Sequence, residues 1–160
     1  MIYFFHGFES SLPSGKVDIL NNLRFRTTGI PMNYTSTTPF KNIETLVSRN
    51  KPSMIVGSSM GGLFALKIGT FYNIPLILLN PALVKVNSTL DTPKNYGEFR
   101  PKIWALLGKS DELIPAQENK LVLEDFGATV EVWDHGHRTP NDVFLQYVES
   151  IKSELIAILE

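Results

Sequence analysis

The chain has 160 residues, 43% of them hydrophobic and 19% charged, with no Cys. Its length predicts one compact domain over 1–160 with enough chain to bury a core. Fifteen Lys and Arg against sixteen Asp and Glu leave a formal charge of −1. Such a balance offers no long-range field for gathering phosphates, which argues against a nucleic-acid partner. The lack of Cys excludes a disulfide framework, a thiolate nucleophile and any Cys-ligated zinc or iron–sulfur site. Three His, at 6, 135 and 137, leave little for an all-His metal site.

The first residues, Met1 to Gly7, carry no basic segment, and their apolar run ends at Phe5. That is too short for a signal peptide. A membrane span needs roughly 18–20 apolar residues, and the longest candidate, Ile74–Val86, is interrupted by Pro75, Asn80 and Pro81. The sequons at Asn33-Tyr34-Thr35 and Asn87-Ser88-Thr89 have meaning only in a secreted chain. The expectation is a soluble, cytoplasmic protein with no membrane partner.

In chain order, Ile2–Phe5 is an apolar run that stops at His-Gly, as a buried strand does. Ser14 is placed to cap a helix whose Val17, Leu20 and Leu23 share a face. Met32–Thr35 is a weak strand candidate and Ile43–Val47 a short helix. Met54–Val56 ends at Gly57 and leads into Leu63–Tyr72, a helix with almost no polar face and hence a buried one. Leu76–Leu79 and Ile103–Leu107 are dense apolar runs bounded by Pro, Asn and Gly, the pattern of central parallel strands. Val130–Trp133 alternates more, as an outer strand would. A final helix should open with Thr139 as cap and Pro140 at its first position, with Asp142 completing a capping box. Its stripe is Phe144, Tyr147, Val148, Ile151, Leu155 and Ile158. This alternation predicts an open, mostly parallel α/β sheet with helices on both faces. In such sheets ligands bind beyond the carboxyl ends of the strands.

Three strand ends carry chemistry. Gly57-Ser58-Ser59-Met60-Gly61 fits G-x-S-x-G between a strand and a helix. There Ser59 would project from strained backbone at a helix N-terminus, with small neighbours allowing the tight turn. Ser58, one position earlier, is expected to point away. An ordinary Gly/Ser turn is the plainer alternative. A phosphate cradle fits worse, since neither G-x-G-x-x-G nor a full P-loop is present. After Ile103–Leu107, Asp111 is placed to orient an imidazole, with Glu112 as its competitor; either could instead cap a helix. After Val130–Trp133 come His135 and His137. An oxygen nucleophile needs a base, and His is the suitable side chain. His137 is preferred, because Gly136 frees it to reach back toward Ser59. The order Ser59, Asp111, His137 is that of α/β-hydrolase triads. Backbone N–H groups of Phe8, after the first strand, and of Met60 are the expected oxyanion donors. His6 is expected to be structural, bonded within its own loop.

These motifs resemble the α/β-hydrolase superfamily, and most closely the small bacterial esterases of the YqiA type. The likeness rests on Tyr3-Phe4-Phe5-His6-Gly7-Phe8-Glu9-Ser10-Ser11, Val56-Gly57-Ser58-Ser59-Met60-Gly61-Gly62, Asn80-Pro81-Ala82, Asn95-Tyr96-Gly97-Glu98, Asp111 and Gly136-His137. It covers nearly the whole chain. The resemblance implies hydrolysis of small-molecule esters or thioesters with acyl chains. The segment from Val84 to Pro101 is short beside its relatives, so no large cap is expected. The chain also starts at the His-Gly strand, without the two leading strands of the full superfamily fold, which predicts a minimal sheet of about six strands.

The reading is a serine esterase or thioesterase with a Ser59–His137–Asp111 triad and no metal or organic cofactor. Phe8, Met60 and Leu83 are the candidate apolar walls for substrate. Two alternatives use the same fold: a binding or regulatory protein that has lost catalysis, and a serine peptidase or acyltransferase using the same triad.

Overall fold

The computed structural model describes residues 1–85 and 90–160. The sequon at Asn87-Ser88-Thr89 lies outside the described residues. The elements are β1 (Ile2–Phe5), α1 (Gly15–Asn22), β2 (Thr27–Ile30), α2 (Pro39–Arg49), β3 (Met54–Ser58), α3 (Met60–Tyr72), β4 (Leu76–Leu79), β5 (Ile103–Gly108), α4 (Ala116–Asp125), β6 (Thr129–Trp133), α5 (Asn141–Ser150) and α6 (Lys152–Leu159). The strands form one six-stranded sheet in the order β2-β1-β3-β4-β5-β6, and every pairing is parallel.

The two-residue period of each strand divides the core. Tyr3, Phe5, Ile55, Leu76, Leu78, Ile103, Ala105 and Leu107 face the side packed by α2, α3 and α4. Ile2, Phe4, Met54, Val56, Ile77, Leu79, Trp104 and Leu106 face the side packed by α1, α5 and α6. Both faces are covered, which is why these strands read as unbroken apolar runs. The chain runs from β1 outward to β2 and returns to β3 on the other side of β1. The strand order therefore reverses between β1 and β3, and a crevice opens there. No helix among the described residues is long and apolar enough to cross a membrane. Between β4 and β5 the described residues form no helix or strand that could build a cap.

Three expectations need correction. The second strand is Thr27–Ile30, not Met32–Thr35. Thr27–Ile30 pairs with β1 but has Ile30 as its one large apolar residue, so its signal is faint, and Pro31 ends its ladder. Met32 and Tyr34 alternate like a strand because both are buried in the core beneath the β1 loop. The final helix is bent at Ile151 into α5 and α6. There Ser150 Oγ donates back to the Tyr147 carbonyl at 2.6 Å, a bond that competes with the helical ladder and bends it. Phe144, Tyr147, Val148, Ile151 and Leu155 are buried as expected, whereas Ile158, beyond the bend, is exposed. The α5 N-cap is Pro140, with no side-chain cap bond; Thr139 is instead held by Asn80.

Candidate active site

The turn between β3 and α3 places Ser59 at φ 54° and ψ −117°, a region L-residues rarely occupy. The strain is imposed by packing around two glycines. A Cβ on Gly57 would lie 2.5 Å from the Gly61 carbonyl, and one on Gly61 would lie 2.2 Å from the Phe5 carbonyl. The turn is then locked from outside. Ser59 N–H donates to the Leu79 carbonyl at 3.0 Å, while Ser59 O accepts from Gly62, Leu63 and Ala82. The side chain is thus presented at the crevice between β1 and β3.

Ser59 Oγ stands 2.9 Å from His137 Nε2, and His137 Nδ1 stands 2.8 Å from Asp111 Oδ2. A carboxylate only accepts, so Nδ1 carries the proton and Nε2 offers its lone pair to the serine hydroxyl. Asp111's side chain is 1% exposed, yet its charge is well provided for. Its other oxygen accepts from the N–H groups of Leu113 and Ile114, each at 2.9 Å. Glu112, the competing acid, points to solvent. His135 does not join the chain: its Nδ1 bonds Gly136 O at 2.8 Å, and its Nε2 is buried without a partner among the described residues.

The path of the His137 loop is set differently from expectation. Gly136 does not lie in the left-handed region, and a Cβ there would meet nothing within 4 Å. The glycine that matters is Gly108 at the end of β5, where a Cβ would sit 2.3 Å from Gly136 O. Close approach of the loop to β5 requires the hydrogen there. Asn80, buried at the end of β4 with φ 40°, completes the restraint. Its amide nitrogen donates to His137 O at 2.7 Å, and its oxygen accepts from Gly108 N–H at 2.7 Å. The sequence reading missed this role, although Asn80 directly follows a strand, where site residues are to be sought.

On the β1 side, His6 Nε2 accepts from Met32 N–H at 2.9 Å, so its proton is on Nδ1, which donates to Gly7 O at 2.8 Å. Gly7 O also accepts from Ser10 N–H. In a trans peptide the C=O and N–H point in opposite directions, so holding Gly7 O aims the Phe8 N–H away from His6. That N–H has no partner among the described residues. Tyr34, missed as a contributor, donates to His6 O at 2.6 Å and keeps its proton, since burial pushes its phenol above the usual range. Met60 N–H belongs to the first turn of α3 and has no intrahelical acceptor.

A cleft of about 310 Å³ opens beside Ser59 and His137. Phe8, 57% exposed, and Leu113, 63% exposed, supply its apolar surface, and Glu9, Ser10 and Arg138 its polar rim. Leu83, expected as a wall, is not part of this cleft and packs half-buried against the core. The Met60 side chain is likewise buried in the core. Ser58, expected to face away, borders the cleft, but the hydroxyl bonded to His137 is that of Ser59. Among the described residues no group of three or more His, Asp and Glu converges to hold a metal ion.

Residues 1–95 match the uncharacterised protein family UPF0227. The UPF0227 protein YcfP of Salmonella paratyphi A is 23% identical, with 96% of this chain and 99% of that protein covered. Among solved structures, Est1E from Butyrivibrio proteoclasticus superposes with a TM-score of 0.76 at 16% identity, covering 98% of this chain and 88% of that one. Alpha/beta hydrolase domain-containing protein 10 from mouse superposes with a TM-score of 0.72 at 17% identity, over 99% and 90% of the two chains. The fold is the α/β-hydrolase fold in a six-stranded form, and the resemblance to the superfamily and its small YqiA-type proteins is borne out.

Proposed function

The chain belongs to the UPF0227 family, and from the geometry of its cleft we propose that it is a serine hydrolase acting on small carboxylic esters or thioesters. The observation that carries this reading is the unbroken chain of hydrogen bonds from Asp111 through His137 to Ser59. Ser59 Oγ attacks the carbonyl carbon as its proton passes to His137 Nε2, and Asp111 stabilises the resulting imidazolium. The carbonyl oxygen becomes an oxyanion received by the N–H groups of Phe8 and Met60, each worth about 3–4 kcal/mol in the transition state. Collapse of this intermediate breaks the bond to the leaving alkoxide or thiolate, which takes the proton from His137. Water then attacks the acyl-Ser59 ester with His137 as base. The carboxylic acid departs, and Ser59 recovers its proton. Every group needed is on the chain, with no metal or organic cofactor in the scheme.

A fluorophosphonate probe tests the reading without knowledge of the substrate. Mass mapping should find the label on Ser59. Ser59→Ala should lower para-nitrophenyl acetate hydrolysis by about a thousandfold or more with the fold intact, and Ser58→Ala should retain most activity. A folded protein that neither takes up label nor turns over ester would favour a binding role instead.

A further inference from the structure

Arg138 directly follows His137, is exposed, and borders the same cleft as Ser59. It is not alone. Helix α1 packs on α5, and its first residue, Gly15, is so close to Asn141 that a Cβ would lie 2.4 Å from the amide nitrogen. This brings Lys16, half-buried at the start of α1, into the electrostatic range of Arg138. Burial, and then the Arg138 guanidinium, lower the Lys16 ammonium below its usual range. Neither cation has a salt-bridge partner among the described residues. The acid on the cleft rim is Glu9, and it pairs with neither. Arg138 is thus a cation on the rim of the cleft that holds Ser59, without an ion-pair partner among the described residues, and free to meet a negative group there.

We propose that Arg138 is a specificity-determining residue that binds an anionic group, a carboxylate or phosphate, carried by the substrate a few bonds from the scissile carbonyl. This rests on the serine-hydrolase reading above. A guanidinium presents paired N–H donors that match two oxygens of such a group, which an ammonium does not. The cleft is small enough that an acyl or leaving group of a few bonds spans from Ser59 to its rim. Glu9 opposes the same anion, so the two rim charges act on the rate in opposite directions.

Two matched substrate pairs test this and separate the two sides of the ester. Mono-para-nitrophenyl adipate against para-nitrophenyl hexanoate places the charge on the acyl side. Meta-acetoxybenzoate against meta-acetoxybenzamide places it on the leaving group. The quantity read is the ratio of kcat/KM for the anionic to the neutral member, from which the folded fraction and any general loss cancel. In at least one pair the wild-type ratio should exceed one and fall as salt is raised, since the rim is open to solvent. Arg138→Gln should lower that ratio about five- to tenfold, and Glu9→Gln should raise it. The responding pair identifies the side that carries the anion. Ser59-dependent turnover with a ratio that Arg138→Gln leaves unmoved in both pairs overturns this inference alone. Neutral-ester turnover that survives Ser59→Ala overturns the hydrolase reading and this inference with it.

Discussion

His6 and His137 differ in what their two nitrogens face. His137 has a carboxylate on one side and a hydroxyl on the other, an arrangement that can accept a proton and give it back. His6 has a backbone carbonyl on one side and a backbone N–H on the other, which fixes the ring and ties the β1 loop to the segment after β2. Under the proposed mechanism its value lies in aiming the Phe8 N–H. That donor is used fully only when the oxyanion forms, so His6→Ala should lower kcat about ten- to a hundredfold and change KM little. Steady-state kinetics on para-nitrophenyl acetate, with far-ultraviolet circular dichroism as the folding control, would check this. A rise in KM at constant kcat would assign His6 to substrate binding instead. His6 as a structural loop residue was legible from its place after β1. Its bond to Met32 was not, because the partner is 26 positions away and local pattern carries no such information.

At the scale of elements, the β3–α3 turn is closely constrained by backbone. Gly57 and Gly61 are needed because backbone oxygens occupy the space their side chains would fill. Gly61→Ala is therefore expected to destabilise by about 3 kcal/mol or more, since backbone rather than a pliant side chain must move. Gly136→Ala should stay within about 0.5 kcal/mol of wild type, because a Cβ there meets only open space. Urea denaturation of the two variants would measure both, and equal losses would mean that the loop at 136 is tighter than its surroundings suggest. The elbow was readable from spacing alone, as G-x-S-x-G between an apolar run and a helix. Strand β2 was not. An edge strand covered on few sides needs few apolar residues, and the buried loop behind it copied the alternation of a strand.

For the whole molecule, the cleft's volume and exposed walls set the expected substrate size. Phe8 and Leu113 are both more than half exposed, so an acyl chain finds cover only near Ser59. A buried methylene is worth about 0.8 kcal/mol, and only where a wall removes it from water. On a series of para-nitrophenyl esters kept below micelle formation, kcat/KM should peak at short acyl chains and then level or fall. A steady rise to long chains would point to a wall outside this cleft, including the segment at Val84–Pro101, of which residues 86–89 lie outside the described residues.

Dense apolar runs, strand ends punctuated by Gly and Asn, and a Ser, an Asp and His residues following three of the strands are local features. From them the sequence by itself determined the parallel sheet, its helices on both faces, and Ser59, Asp111 and one of the two histidines after β6 as the residues to bring together. Only the tertiary structure decided between His137 and His135, because that choice depends on how the loop crosses β5. The decision lies in Gly108 and Asn80, 28 residues apart, which hold the loop where one ring reaches the serine and the other is buried. The cleft walls were decided in the same way. Leu83 turned inward and Leu113 outward because of how the turns after β4 and β5 pack, and hydrophobicity alone does not distinguish a residue that faces the core from one that faces a substrate.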